Sequence, residues 1–440
     1  MQEDMRYWIE LLQKSDRLLS IKREVDPELE IPAVMRAAEK VKKCVLFENV
    51  KGSKFRLANN LLASRDVLAL LFGEAPERVV HEWIKRSATP MEPRLLKSGP
   101  VKEVVKKGPE VDLQELPIVT HCSKDAGPYI TAGLVICRDP DTGIRNVSIN
   151  RMQVKGKDKL GIRMLAPQHL GVAYDKCEKR GKNLKVAVAI GNHPFEMLSA
   201  ATTVAYGVDE FSLSGALRKE PLEVVRGETV DLEVPAGAEF VLEGEVLAGV
   251  RESEGPFGDF MQYYVPVMEN HILRVKAITH RKEAIYQTIQ ASSVEDTHLL
   301  ALSREARVYE AVSKVADIQA VCLVPTILGC TISIRKRFEG EPKNVAAAAF
   351  GASSWLKCCV VVDHDVDVFD MNDVWWAMAT RSRPDQGLLL MTHALGFPRD
   401  PYNLHRSKLG IDATAPLNQW DEFERKAIPG ADDIRLEDYL

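Results

Sequence analysis

Apolar positions along the first hundred residues follow two rhythms. "DMRYWIELLQKSDRLL", "ELEIPAVMRAAEKVKK", "SRDVLALLFG" and "PERVVHEWIKRSA" repeat at helical spacing, whereas "LSIKREV" and "CVLFENV" read as strands. Helices alternating with strands predict an α/β start over 1–117, with the polar, proline-containing stretch 88–117 as a linker. From 118 to 295 the rhythm turns towards β. "YITAGLVICRD", "RNVSINRMQV", "KLGIRML", "LKVAVAIG", "EFVLEGEVL", "HILRVKAITH" and "AIYQTIQ" are strand-like, interrupted by helical "PQHLGVAYDKCEKRG" and "DEFSLSGALRKE". Many antiparallel-looking strands with few helices predict a barrel-like middle domain. A long helix over 296–316 then links to a second α/β unit, 317–440, built from "DIQAVCLVP", "PKNVAAAAFGASSWL", "KCCVVVDHDVDV" and "MNDVWWAMATR". The tail from 395 shows weak periodicity.

Composition narrows the function classes. The 440 residues carry 58 basic and 63 acidic side chains, a net charge of −5, with 45% hydrophobic and 28% charged residues. This is ordinary for a globular protein and offers no basic surface for nucleic acid. The amphipathic N-terminus does not read as a signal peptide, and the longest apolar run, 317–334, is broken by Pro325 and Gly329 and too short to span a bilayer. Eight cysteines without zinc-like spacing predict free thiols in a reducing cytoplasm.

Nucleotide-loop, serine-hydrolase and zinc-protease motifs are absent. Polar residues collect instead at four places in the middle domain. "ESEGPFGDF" (252–260) brackets a Gly-Pro-Gly turn with Glu252, Glu254 and Asp259. Pro256 fixes φ and the glycines tolerate positive φ, so this is a rigid turn, either a solvated acidic corner or a device aiming two acids into one cleft. "NVSINRMQV" carries Arg151 among apolar neighbours, as a catalytic or a snorkelling arginine. His169 starts a helix in "APQHLG", and Glu210 opens another, where an acid also suits the helix dipole. A histidine, a carboxylate and an amide oxygen suit a hard divalent ion, but their spacing alone does not make them converge.

Taken in order, Asn146-x4-Arg151, Pro167-Gln168-His169, Glu210 and "EGPFGD" (254–259) resemble the UbiD family of reversible decarboxylases, as do "EVPAGAEFVLEGEV", "DHDVDVFDMNDVWWAMATR" and "RPDQG". The resemblance implies an α/β N-terminal region, a central split β-barrel flavin-binding domain and a C-terminal α/β oligomerisation domain. It implies prenylated FMN as cofactor, with Mn²⁺ or another divalent metal and K⁺. By position, Asn146, His169 and Glu210 match the metal ligands. Ile149, Asn150, Arg151, Arg163, Met164, Leu165, Gln168, His169, Glu210 and Lys357 match the cofactor-lining set, Lys357 on the phosphate side. Arg151, Glu254 and Asp259 match the catalytic trio, with aspartate where some members carry glutamate. Losing CO₂ from an sp² carbon demands an electron sink that no side chain provides, hence a cofactor.

The resemblance further implies an aromatic, heteroaromatic or α,β-unsaturated acid and CO₂ as small-molecule partners, a flavin prenyltransferase as cofactor supplier, and a homodimer or hexamer. His298 and Arg304, in "SSVEDTHLLALSREAR", are candidate substrate residues, and Arg304 suits a second carboxylate such as that of furan-2,5-dicarboxylate. A polyprenyl-hydroxybenzoate decarboxylase, a non-catalytic carboxylase subunit and an ordinary flavin oxidoreductase are the alternatives.

Overall fold

A computed structural model describes residues 3–164, 167–398 and 406–426 with positions 428, 430, 434 and 439, and its chain divides into two units. Within the first, helix Met5–Lys14 begins at Asp4, whose carboxylate accepts the N–H groups of Arg6 and Tyr7. Capping those donors and burying Met5, Trp8, Ile9 and Leu12 fixes the helix on the N-terminal sheet. That sheet runs Leu18–Ile21, Cys44–Phe47, Arg56–Asn59, Ile285–Gln287. Its last strand comes from "AIYQTIQ", which the sequence assigns to the middle domain. The strand exists, but it pairs in parallel with Arg56–Asn59, a strand the sequence pattern does not announce.

The central sheet is antiparallel and curls. Its order is Tyr129–Ile130, Met152–Val154, Lys159–Ile162, Met268–His280, Phe240–Glu254, Leu184–Ile190, Leu134–Arg138, Arg145–Ile149. Arg145–Ile149 and Met152–Val154 lie near opposite ends of that order, yet only Asn150 and Arg151 separate them in the chain. Two residues span less than about 10 Å, so the two ends must approach each other, as in a half-barrel. The long pair Phe240–Glu254 and Met268–His280 bends at a register shift after Glu243, where Gly244 is required because a Cβ there would lie 2.1 Å from the Arg274 carbonyl oxygen. Val186, Val188, Ile190, Phe240 and Leu242 are buried in the core.

Residues 88–117 are not a free linker. Arg94–Leu95 pairs with Glu223–Arg226, and Val104–Lys107 extends the central sheet beside residues 277–280. Four-residue edge strands leave too little alternation to be read from sequence. Helix Val294–Val312 carries the chain from the first unit into the second.

The second unit holds a sheet ordered Asp317–Cys322, Gly329–Arg335, Cys358–Asp363, Lys408–Ala413, Leu388–Met391. Helix Glu341–Ala352 buries Val345, Ala346, Ala349 and Phe350. Arg381 closes helix Met371–Arg381 by donating to Asp363 at 2.8 Å and Asp365 at 2.7 Å. The weakly periodic tail therefore supplies the sheet strand Lys408–Ala413. All eight cysteines are free, six of them buried, Cys122 half-buried and Cys358 exposed. Among the described residues no helix is long and apolar enough to cross a membrane.

Candidate active site

The two residues that close the half-barrel deliver Arg151. The strand of the alternation ends at Ile149, so Arg151 lies in the link rather than on the sheet face the sequence predicts. The end of Phe240–Glu254 brings Glu254 opposite it. Arg151 Nε donates to Glu254 Oε1 at 3.1 Å and Nη2 to Oε2 at 3.0 Å, a two-pronged pair with Glu254 1% exposed. Asn270, from the neighbouring strand, adds a 2.7 Å bond to Oε2. The guanidinium sits 4.8 Å from the Phe257 ring centre, and Tyr129 packs on the same ring at 4.6 Å. Burial and the nearby Glu254 push the Tyr129 hydroxyl well above its ordinary value, so it stays neutral.

Gly255 takes φ +96°, which a side-chain-bearing residue resists, and turns the chain towards Asp259. A small hairpin, Phe257–Gly258 against Tyr264–Val265, follows. Asp259, 8% exposed, donates its N–H to the Tyr263 carbonyl and accepts the Met261 N–H at 3.3 Å. The segment 122–126 braces this turn: Asp125 accepts the Gly258 N–H at 2.8 Å, and Ala126 N–H donates to Pro256 at 3.0 Å. Burial, with Asp259 contributing, raises the Asp296 carboxyl to about 7, and it accepts the Ser292 N–H at 2.8 Å. A second, half-buried acid thus stands near Asp259.

Asn146 and Val147 lie on the strand that leads into this link, and Glu210 is bonded to Val147 there. Glu210, 3% exposed, opens helix Glu210–Arg218 and accepts the Val147 N–H at 2.7 Å. Burial raises its carboxyl to about 8, with no side-chain cation bonded to it. The Asn146 side-chain nitrogen is buried without a hydrogen-bond partner. An amide with an orphaned end, which can equally present its oxygen, one residue from the backbone N–H that holds a carboxyl with no bonded side-chain cation among the described residues, fits a divalent cation. His169, first residue of helix His169–Glu178, stands edge-on to Tyr206 at 5.1 Å, four residues before Glu210. No three His, Cys, Asp or Glu side chains cluster as a metal site among the described residues.

Models of three domains named for 3-octaprenyl-4-hydroxybenzoate carboxy-lyase match consecutively: the N-terminal domain over 9–87, the Rift-related domain over 94–293 and the C-terminal domain over 297–413. An anhydromevalonate phosphate decarboxylase from Methanothermobacter thermautotrophicus is 38% identical over 424 residues, covering 93% of this chain and 97% of that one. The chain belongs to the UbiD family. The UbiD-class enzyme HmfF from Pelotomaculum thermopropionicum, solved with FMN, is 42% identical with a TM-score of 0.95 and full coverage of both chains. An evolved dimeric form of HmfF, solved with prFMN, gives 41% and 0.92, again with full coverage. UbiD relatives are decarboxylases, and this chain is a carboxy-lyase of that class.

Against the UbiD pattern, the structure brings together Arg151, Glu254 and the Asp259 turn, and separately bonds Glu210 to Val147, the residue after Asn146. Asn150 donates to the Arg163 carbonyl at 3.1 Å, tying together two of the expected flavin-lining segments. Ile149 is half-buried, Met164 buried and Gln168 exposed at the cap of the His169 helix. Leu165 lies outside the described residues. Lys357 belongs to the second unit, where its backbone bonds Leu328 and Leu409. His298 is buried, with Nδ1 2.9 Å from the Leu62 carbonyl oxygen and with Arg65 and Glu305 as its nearby charges. Arg304 donates to the Leu300 carbonyl one turn back. Sequence reasoning missed Asn270, Asp125, Tyr129 and Phe257. Asn270 faces Glu252 across the strand pair and reaches Glu254 only through that register.

Proposed function

We propose that this chain catalyses the reversible, non-oxidative decarboxylation of an aromatic, heteroaromatic or α,β-unsaturated carboxylic acid with prenylated FMN. The observation that supports it best is the buried two-pronged Arg151–Glu254 pair with Asp259 on the same rigid turn. Bound prenylated FMN supplies the electron sink for the carbon that loses CO₂. Asn146, Glu210 and His169 would hold the divalent metal, and Ile149, Asn150, Arg163, Met164 and Gln168 would line the flavin. With Nε and Nη2 committed to Glu254, Nη1 of Arg151 meets the leaving carboxylate. Glu254 and Asn270 keep that guanidinium fixed. Asp259 then protonates the carbon, which a positioned acid accelerates by roughly 10²- to 10⁴-fold.

His298 is committed to Leu62 and Arg304 donates to Leu300, so a furan dicarboxylate would have to draw Arg304 from that bond to hold its second carboxylate. The 38% and 37% identity to two anhydromevalonate phosphate decarboxylases supports a second reading, a phosphorylated substrate of that kind. The test is protein co-produced with a flavin prenyltransferase and purified without oxygen. Its absorbance and native mass are recorded, then CO₂ release from furan, pyrrole, benzoic and cinnamic acids and from anhydromevalonate phosphate. Turnover that drops at least about 10²-fold in Asp259→Asn with flavin retained supports the assignment. Loaded protein that neither releases CO₂ nor exchanges substrate hydrogen with D₂O overturns it in favour of a non-catalytic subunit.

A further inference from the structure

Two residues of strand Arg145–Ile149 engage two consecutive residues at the start of helix Glu210–Arg218. Val147 N–H holds the Glu210 carboxyl and Arg145 reaches Asp209, with Asn146 between them in the chain. Arg145 Nη1 donates to Asp209 Oδ2 at 2.7 Å, and Nη2 to Glu233 Oε2 at 2.8 Å. Its side chain is 9% exposed, and its guanidinium lies 5.2 Å from the Phe211 ring centre. Asp209 is the helix cap, and its other oxygen accepts the Phe211 N–H at 2.9 Å. One carboxylate is therefore shared between the first turn of the helix and an arginine on the strand.

From this geometry we infer that Arg145 is a positioning residue for the metal site, setting the distance between Asn146 and Glu210 without touching the ion. The inference rests on the metal assignment above. Two flexible carboxylates and a strand edge are locked by a planar, two-pronged donor, a geometry that lysine's single ammonium does not reproduce. Glu233 anchors the far side of the guanidinium and is also bonded by Arg138, which pairs with Arg145 across the strands. Arg138 does not reach Asp209 in any described bond. It provides the comparison residue, sharing the anchor but not the helix end.

The experiment titrates Mn²⁺ alone into flavin-free protein and follows loss of the free-ion EPR signal and the line shape of the bound ion. Arg145→Met weakens Mn²⁺ binding about 10- to 100-fold, as lost supporting contacts around metal ligands do, and broadens the distribution of bound-ion environments. Arg145→Lys recovers part of the affinity. Arg138→Met stays within about twofold of the parent, since its loss leaves the Asp209 link intact. Should Arg145→Met fail to fold, Asp209→Asn removes the same link from the helix side and shows the same loss. Unchanged Mn²⁺ affinity and line shape in a folded Arg145 or Asp209 variant overturns the inference. Parent protein that binds no Mn²⁺ overturns the metal assignment instead, a distinct outcome.

Discussion

Glu254, at the end of a central strand, and Glu210, at the start of a helix bonded to that sheet, are both buried glutamates, and the chain treats them in opposite ways. Glu254 receives Arg151 on both oxygens and Asn270 on one. Glu210 receives backbone N–H groups only, beside an asparagine nitrogen that bonds nothing. The first is a finished machine part, whose charge is matched by protein. The second has Arg145 as a nearby charge but no side-chain cation bonded to it among the described residues, which is where the proposed metal would supply the matching charge. Function thus shows as incompleteness at one end of the site and as completeness at the other, and variants at the two ends differ in kind.

The largest effect belongs to the finished end. Arg151→Ala leaves Glu254 buried with Asn270 as its one remaining side-chain donor, and stranding one partner of a buried pair costs about 3–5 kcal/mol. Denaturant unfolding should show that loss together with abolished turnover, and Arg151→Lys should restore part of the stability. A variant as stable as the parent would mean that the pair does not hold the turn in place.

Glu210→Gln should behave differently. A carboxyl raised to about 8 is already neutral at pH 7, so a neutral amide of the same shape changes stability by less than about 1 kcal/mol. The Val147 N–H still finds an oxygen. Mn²⁺ affinity should nevertheless fall by more than the roughly 100-fold ceiling for lost supporting contacts. A stability loss comparable to that of Arg151→Ala would erase the distinction between the two ends.

How much of this was legible follows from sequence distance. The Gly-Pro-Gly turn, the helix starts at His169 and Glu210 and most central strands are local signals, and they lie where the periodicity puts them. Partnerships are not local. Arg145 and Glu233 are 88 residues apart, and nothing in "GIRNV" tells Arg145 from a surface arginine. Ile285–Gln287 reads as a strand, but only the fold shows that it leaves the barrel for the N-terminal sheet. The strand-like pattern of "RNVSINRMQV" continues through Arg151. The need to close the sheet in two residues wins over that pattern, and closure is a property of strand order rather than of sequence.

The smallest expected response to Mn²⁺ tests whether burial alone marks a metal ligand. Glu295 is as buried as Glu210, and burial raises its carboxyl to about 8 as well, yet its companions are the Leu61 N–H and a second oxygen without a partner. A carboxyl whose folded value lies above its unfolded value of about 4.5 binds its proton more tightly in the native state. Its contribution is fully present below that unfolded value and is lost as pH rises towards 8. The slope reaches at most about 1.4 kcal/mol per pH unit. Glu295→Gln should flatten the fall in stability across this window, and adding Mn²⁺ should leave the Glu295-dependent slope unchanged. If Mn²⁺ removed that slope, burial without a countercharge would be enough to attract the ion, and Asn146 and His169 would no longer be what sets Glu210 apart.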